Sequence, residues 1–299
     1  MIAHQPIVRK KRSPVQGKFS ILIPSWNNLD YLRLCIESIR KNSHFTHQVI
    51  VHINEGKDGT LDWVDSQPDL SYTFSEKNIG ICYALNAGRE LAMTDYIVYM
   101  NDDMYVCPGW DLVLYDEIEK IGHPYFFLSA TAVEPMETGN PCVLVKDYGN
   151  NIGDFKEEAL LQEYAAPVMR DWQGATWPPN VVHKDVWDLV GGYSIEFSPG
   201  MYSDPDFSMK LWLLGVRLFK GVGNSRVYHF GSKSTKRIVV NKGYYQFLSK
   251  WALTTGAFTK YYLRRGESFD GPLQDPVLPF SLRVKNFFKR LDALFRSTE

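Results

Sequence analysis

Four short apolar runs in the first hundred residues, each of strand length and each followed by turn residues or a helical segment, constrain this chain more than any other feature. Residues 19–23 are apolar and stop at Pro24, and residues 29–39 then place Leu29, Leu32, Ile36 and Ile39 at helical spacing. Residues 49–53 read as a second strand and 59–64 as a short helix start. Residues 72–74 form a third strand ahead of the turn Asn78-Ile79-Gly80, residues 81–93 a helix, and 96–100 the fourth run. Strands that alternate with helices predict an α/β fold: a mostly parallel, Rossmann-like sheet flanked by helices, with ligands held at the carboxyl ends of the strands.

The second half is less regular. Residues 122–171 mix the apolar run 126–133 with turn residues and an acidic stretch, and support no firm assignment. Residues 181–190, closed by Gly191-Gly192, read as a helix with its stop signal. Residues 206–214 read as another helix and 216–219 as a strand. Three stretches follow: a basic N-terminal segment over 1–17, a catalytic domain over 18–240, and a helical extension over 241–299.

Composition narrows the function. With 44% hydrophobic residues over 299 positions the chain can bury a real core. Its formal net charge of −1 gives no basic field for nucleic acid. Cys35, Cys82, Cys107 and Cys142 have no CxxC spacing and sit in or beside apolar runs, which predicts reduced thiols in a cytoplasmic compartment. Arg9 to Arg12 are followed by polar residues, unlike a signal peptide, and no window reaches membrane-spanning length.

The strongest chemical signal is Asn101-Asp102-Asp103, delivered by the fourth apolar run into the strand-end crevice. Adjacent carboxylates there suit Mn²⁺ or Mg²⁺, hard cations that take one or two carboxylates and leave the remaining positions to phosphate and water. Taken alone, the pair reads equally as an acidic turn or helix cap.

Several motifs together resemble the family-two inverting glycosyltransferases of the GT-A fold, over residues 19 to about 234. Residues 19–27 end in Ile23-Pro24-Ser25-Trp26-Asn27, similar to the family's opening strand and its "(I/V)P-x-(Y/W)-N" turn. Asn78-Ile79-Gly80 with Ala84 and Asn86-Ala87-Gly88 resembles "N-x-G-x-x-x-A-x-N-x-G". Asn101-Asp102-Asp103 with Pro108-Gly109-Trp110 resembles the metal motif and the "P-G-W" behind it. The resemblance implies donor-nucleotide contacts at Pro24, Ser25, Asn27, Asn78, Asn101 and Asp102, with Asp103 as a metal ligand. The family's usual base-contacting acid is replaced by Ile53, so the contact passes to Asn54 or Glu55.

Met201 to Phe207 resembles "E-D-x-D-(L/F)", which implies that Asp204 is the general base and that Asp206 orients or touches the acceptor. Ordinary helix capping by Ser203 or Asp204 is the competing reading. The resemblance implies that His229 is a second metal ligand, where a lone histidine after a strand otherwise reads as structural; Lys233 or Lys236 either neutralises pyrophosphate or is a solvated surface lysine. The segment before Val190-Gly191-Gly192-Tyr193 lines the sugar and acceptor cleft in such enzymes, so Trp172 and Trp177 stack on sugar rings or pack in the core.

The implied partners are a nucleotide-diphosphate sugar and a glycan, glycolipid or glycoprotein acceptor, with a homo-oligomer compatible. A sugar nucleotidyltransferase would want glycine and lysine soon after the first strand, where Pro24-Ser25-Trp26-Asn27-Asn28 offers neither. A non-catalytic sugar-nucleotide or glycan-binding module is the other alternative. Residues 279–296 interleave apolar and basic side chains in the manner of an amphipathic helix, which predicts either peripheral membrane contact or packing on protein.

Overall fold

The computed structural model describes residues 7–15, 17–231 and 242–296, with side chains up to 293. Lys233, Lys236 and the boundary expected near 240 lie outside the described residues. In chain order the elements are β1 (Arg9–Lys11), β2 (Phe19–Trp26), α1 (Leu29–Asn42), β3 (Gln48–Asn54), α2 (Thr60–Ser66), β4 (Leu70–Ser75), α3 (Ile81–Arg89), β5 (Tyr96–Tyr99) and β6 (Met104–Val106). They continue with α4 (Trp110–Ile121), β7 (Phe126–Glu134), β8 (Val143–Val145), α5 (Glu157–Glu163), β9 (Trp172–Gln173), β10 (Asn180–His183) and α6 (Lys184–Leu189). The last are α7 (Ser203–Leu214), β11 (Leu218–His229), α8 (Gly243–Trp251), α9 (Thr255–Ala257) and α10 (Phe280–Arg296).

One sheet runs in the order β1-β4-β3-β2-β5-β10-β7-β11-β6, with β8 on β7 and β9 on β11. β4, β3, β2 and β5 are mutually parallel, as the alternation predicted. Period-two alternation then splits the core. Ile21, Ile23, Val49, Val51 and Val98 pack on one face with Leu32, Ile36 and Trp110, while Leu22, Ile50, Ile97 and Tyr99 face the other with Leu85, Trp187 and Phe207.

Two assignments are corrected. Residues 181–190 are not one helix: Asn180–His183 is β10, antiparallel between β5 and β7, and the helix begins at Lys184. A gap between two strands that offers unsatisfied ladder groups on both sides outweighs the helical period of a short segment. The strand read at 216–219 runs from Leu218 through Gly221 and Gly223 to His229, with an irregularity between Val222 and Arg226. The glycines are required there, since a Cβ at Gly221 would fall 1.8 Å from the Trp172 ring. Among the described residues no helix is long and apolar enough to cross a membrane.

Candidate active site

The carboxyl ends of β2, β3 and β5 open into a cavity of about 610 Å³ that takes in Pro24, Ser25, Asn54, Asn78, Asn101, Asp102, Asp103, Trp177, Asp204 and His229. Hydrogen bonds between loops brace its rim. Asn54 accepts from the Ile79 N–H at 2.9 Å and donates to the Ser25 carbonyl at 3.4 Å, tying the ends of β2 and β3 to the loop before α3. Asn78 accepts from the Gly80 N–H at 2.9 Å. Gly80 has φ +79, and a Cβ there would meet Pro199 at 2.7 Å, so only glycine lets the loop before α7 close on α3. Asn27 and Glu55 sit outside this cavity; the Asn27 amide donates to Glu55 at 3.2 Å.

At one end the β-ladder assembles Asp103, His229 and Glu134. β6 pairs with β11 so that Met104 opposes His229, which brings the residue before Met104 to the imidazole. His229 Nε2 lies 3.4 Å from Asp103 Oδ1. β7 runs parallel to β11 and ends on Glu134, whose carboxylate accepts from His229 Nδ1 at 2.8 Å. Burial works against the imidazolium, yet Asp103 and Glu134 outweigh it and push its pKa up to about 10. Sequence reasoning missed Glu134, which ends an apolar run inside the stretch that supported no assignment.

This donor set fits a divalent cation. The described residues contain no cluster of three or more His, Cys, Asp or Glu able to hold an ion by themselves. A hard ion needs only one or two protein ligands when phosphate and water complete its shell. An imidazole held through one ring nitrogen by a carboxylate is the usual setting of a metal-binding histidine, and here Nδ1 is held by Glu134 while Nε2 faces Asp103.

The other end holds Asp204, in the first turn of α7. The helix is capped at Tyr202, with φ +70 and no side-chain capping bond, and Ser203 donates to the Gly200 carbonyl. Capping therefore does not occupy Asp204. Among the described residues its hydrogen bond comes from the Tyr193 hydroxyl at 3.3 Å. Burial raises its pKa to about 7, with that hydrogen bond pulling the other way. Tyr193 stacks on Phe207 at 4.6 Å, and both backbone polar groups of Tyr193 bond the Asn86 amide, so the quoted Asn86 motif fixes the partner of Asp204.

Asp206 is corrected: fully buried, it accepts from Trp251 Nε1 at 2.8 Å and pairs with Lys250 at 2.9 Å, anchoring α8 rather than facing the cavity. Trp172 reaches the cavity wall, is 5% exposed, lies over Gly221 and donates to Thr131 at 3.1 Å. Trp177 is half-buried in the wall, with the Arg265 guanidinium 4.4 Å from its ring. Thr255, Thr259 and Arg265 bring the C-terminal stretch into the cavity, where the sequence offered no sign of it.

The sheet order and the strand-end cavity define a GT-A glycosyltransferase fold. Residues 20–165, a little under half of the chain, match the model of glycosyl transferase family 2; Asp204 and His229 lie beyond the matched segment. No curated protein sequence matches the chain. Among solved structures, TarS 1-349 of S. aureus is similar with a TM-score of 0.54 and 14% identity, over 93% of this chain and 72% of that one. The same protein with UDP-GlcNAc gives a TM-score of 0.53 at 14% identity, over 93% and 73% of the two chains. GalNAc-T7 with UDP, GalNAc and Mn²⁺ gives 0.53 at 14% identity, over 81% of this chain and 52% of its own.

Proposed function

We propose that the protein transfers a sugar, with inversion, from a nucleoside diphosphate sugar to an acceptor hydroxyl of a glycan, glycolipid or glycoprotein. Asp204 is the general base. The observation that carries this reading is a cavity carboxylate freed from capping, bonded to one tyrosine hydroxyl and poised at a pKa of about 7. A base is most effective when its pKa lies near the working pH. Asp204 takes the acceptor proton, the acceptor oxygen bonds the anomeric carbon, and the bond to the diphosphate breaks with its electron pair leaving on the nucleotide.

Asp103 and His229 would hold Mn²⁺ or Mg²⁺, with Asp102 on the phosphate side. When bound, the ion stabilises the charge that develops on the departing diphosphate. Pro24, Ser25, Asn54, Asn78 and Asn101 shape the nucleotide end, and Trp177 offers a flat apolar face to a pyranose. Residues 18–240 form the catalytic domain, and the extension over 241–299 completes its cavity through Arg265. The four cysteines are buried free thiols, which suits a reducing cytoplasm.

UDP-sugars are the first donors to try, because the neighbouring structures hold UDP, UDP-GlcNAc, or UDP with GalNAc. The test is release of nucleoside diphosphate from a donor panel, with Mn²⁺ or with EDTA. Metal-dependent release that Asp204→Asn suppresses is the expected result. Binding of donors with no turnover under any condition would instead favour a non-catalytic module.

A further inference from the structure

Helix α10 is mounted with its apolar stripe facing away from the protein. Helical spacing puts Leu282, Asn286, Lys289 and Ala293 on one face, and that face meets α8. Asn286 and Ala293 are buried, and the Lys289 ammonium donates to the Tyr244 hydroxyl at 3.3 Å. Phe280, Val284, Phe287, Phe288 and Leu291 fall about half a turn away. They are 79%, 39%, 58%, 64% and 41% exposed. A helix on a globular protein ordinarily buries its apolar stripe, and here a mixed face of Leu282, Asn286, Lys289 and Ala293 is covered while the stripe stays exposed.

Charge indicates what covers it. Arg283 and Arg290 are exposed along one border of the stripe and Lys285 along the other. Residues 280–296 carry five basic side chains and one acidic, in a chain whose net charge is −1. An anionic lipid surface presents an apolar interior bordered on every side by negative headgroups, which matches both borders at once. A second copy packed antiparallel would set like basic borders against each other.

We propose that α10 docks this protein on an anionic membrane surface, with the three phenylalanines in the acyl boundary and the basic side chains among the headgroups. The position of the helix gives the docking a use. Tyr244 of α8, which α10 contacts, meets Tyr202 at 6.2 Å between ring centroids, and Tyr202 lines the cavity. Docking would hold the cavity beside the surface on which lipid-linked acceptors stand. The inference is independent of the transfer reaction, because its test reads binding alone.

The test is co-sedimentation of the full chain with phosphatidylcholine vesicles made with and without phosphatidylglycerol, comparing the wild type with Phe287→Ser/Phe288→Ser. Both positions are exposed, so the variant should fold, which circular dichroism checks. The wild type should pellet with the anionic vesicles, and its partitioning should fall on the order of tenfold when phosphatidylglycerol is omitted. The variant should lose on the order of tenfold or more. Arg283→Glu/Arg290→Glu should lose binding on anionic vesicles alone. Equal pelleting of wild type and phenylalanine variant, or pelleting of neither, would overturn the proposal. So would a wild-type dimer in sedimentation velocity that the phenylalanine variant converts to monomer, since the stripe would then belong to a second copy.

Discussion

At one end of the cavity two carboxylates, Asp103 and Glu134, close on His229 and hold its pKa near 10; at the other, Asp204 sits with a single tyrosine hydroxyl and a pKa near 7. Both ends bury acidic groups beside strand and helix termini. The first closes two acids on a group that can carry positive charge, so it stabilises a cation. Among the described residues the second gives its acid no cation, so burial favours the neutral form and the carboxylate gains proton affinity. One site for charge and one for a proton are what inverting transfer asks of a cleft: neutralise the leaving group and deprotonate the attacking one.

If the ends differ in this way, their variants should separate. The largest effect belongs to Asp103→Ala, which should lower transfer by roughly a thousandfold or more, several kcal/mol of charge stabilisation, and abolish Mn²⁺-dependent nucleotide binding. Calorimetric titration with UDP reads the second part. Asp204→Asn should reduce turnover by roughly 10²–10⁴-fold and leave donor affinity near wild type, because the amide keeps its size and cannot accept a proton. Survival of turnover within about tenfold would move the base elsewhere.

Smaller effects sharpen the contrast. Glu134→Gln should weaken Mn²⁺ affinity by about 10–100-fold through a loosened His229. Asp204 also has a stability signature. Its folded pKa of about 7 lies above the unfolded value of 3.8, so the stabilising proton is present below about pH 4 and lost as pH rises through 7. In EDTA at pH 8, Asp204→Asn should therefore be more stable than wild type, by at most about 2–4 kcal/mol. Thermal melts should show the gain vanish near pH 4. A variant less stable than wild type at pH 8 would mean that Asp204 is a structural group.

The cation end was more legible in sequence than its surroundings, and the reason is local. A short apolar strand that empties into Asn101-Asp102-Asp103 is visible over about six residues, because strand, turn and acid are contiguous. Glu134 was invisible because its role depends on β7 lying parallel to β11, a pairing of residues nearly a hundred apart. Likewise Asn180–His183 carries a helical period with the residues after it and becomes a strand only because β5 and β7 leave a place between them. Asp204 and Asp206 share one motif and one turn of helix. Side-chain direction separates them: one reaches the cavity and the other is locked under Lys250 and Trp251. The outward mounting of α10 was equally beyond the sequence, which showed the stripe without saying which face the protein would cover.

The division of labour between the two ends is tested most directly by measuring, on the same preparations, UDP affinity in Mn²⁺ and single-turnover transfer for Asp103→Asn and Asp204→Asn. The account predicts opposite losses: Asp103→Asn gives up metal-dependent affinity, while Asp204→Asn binds as the wild type does and fails to turn over. Loss of affinity in both variants, or in neither, would contradict it.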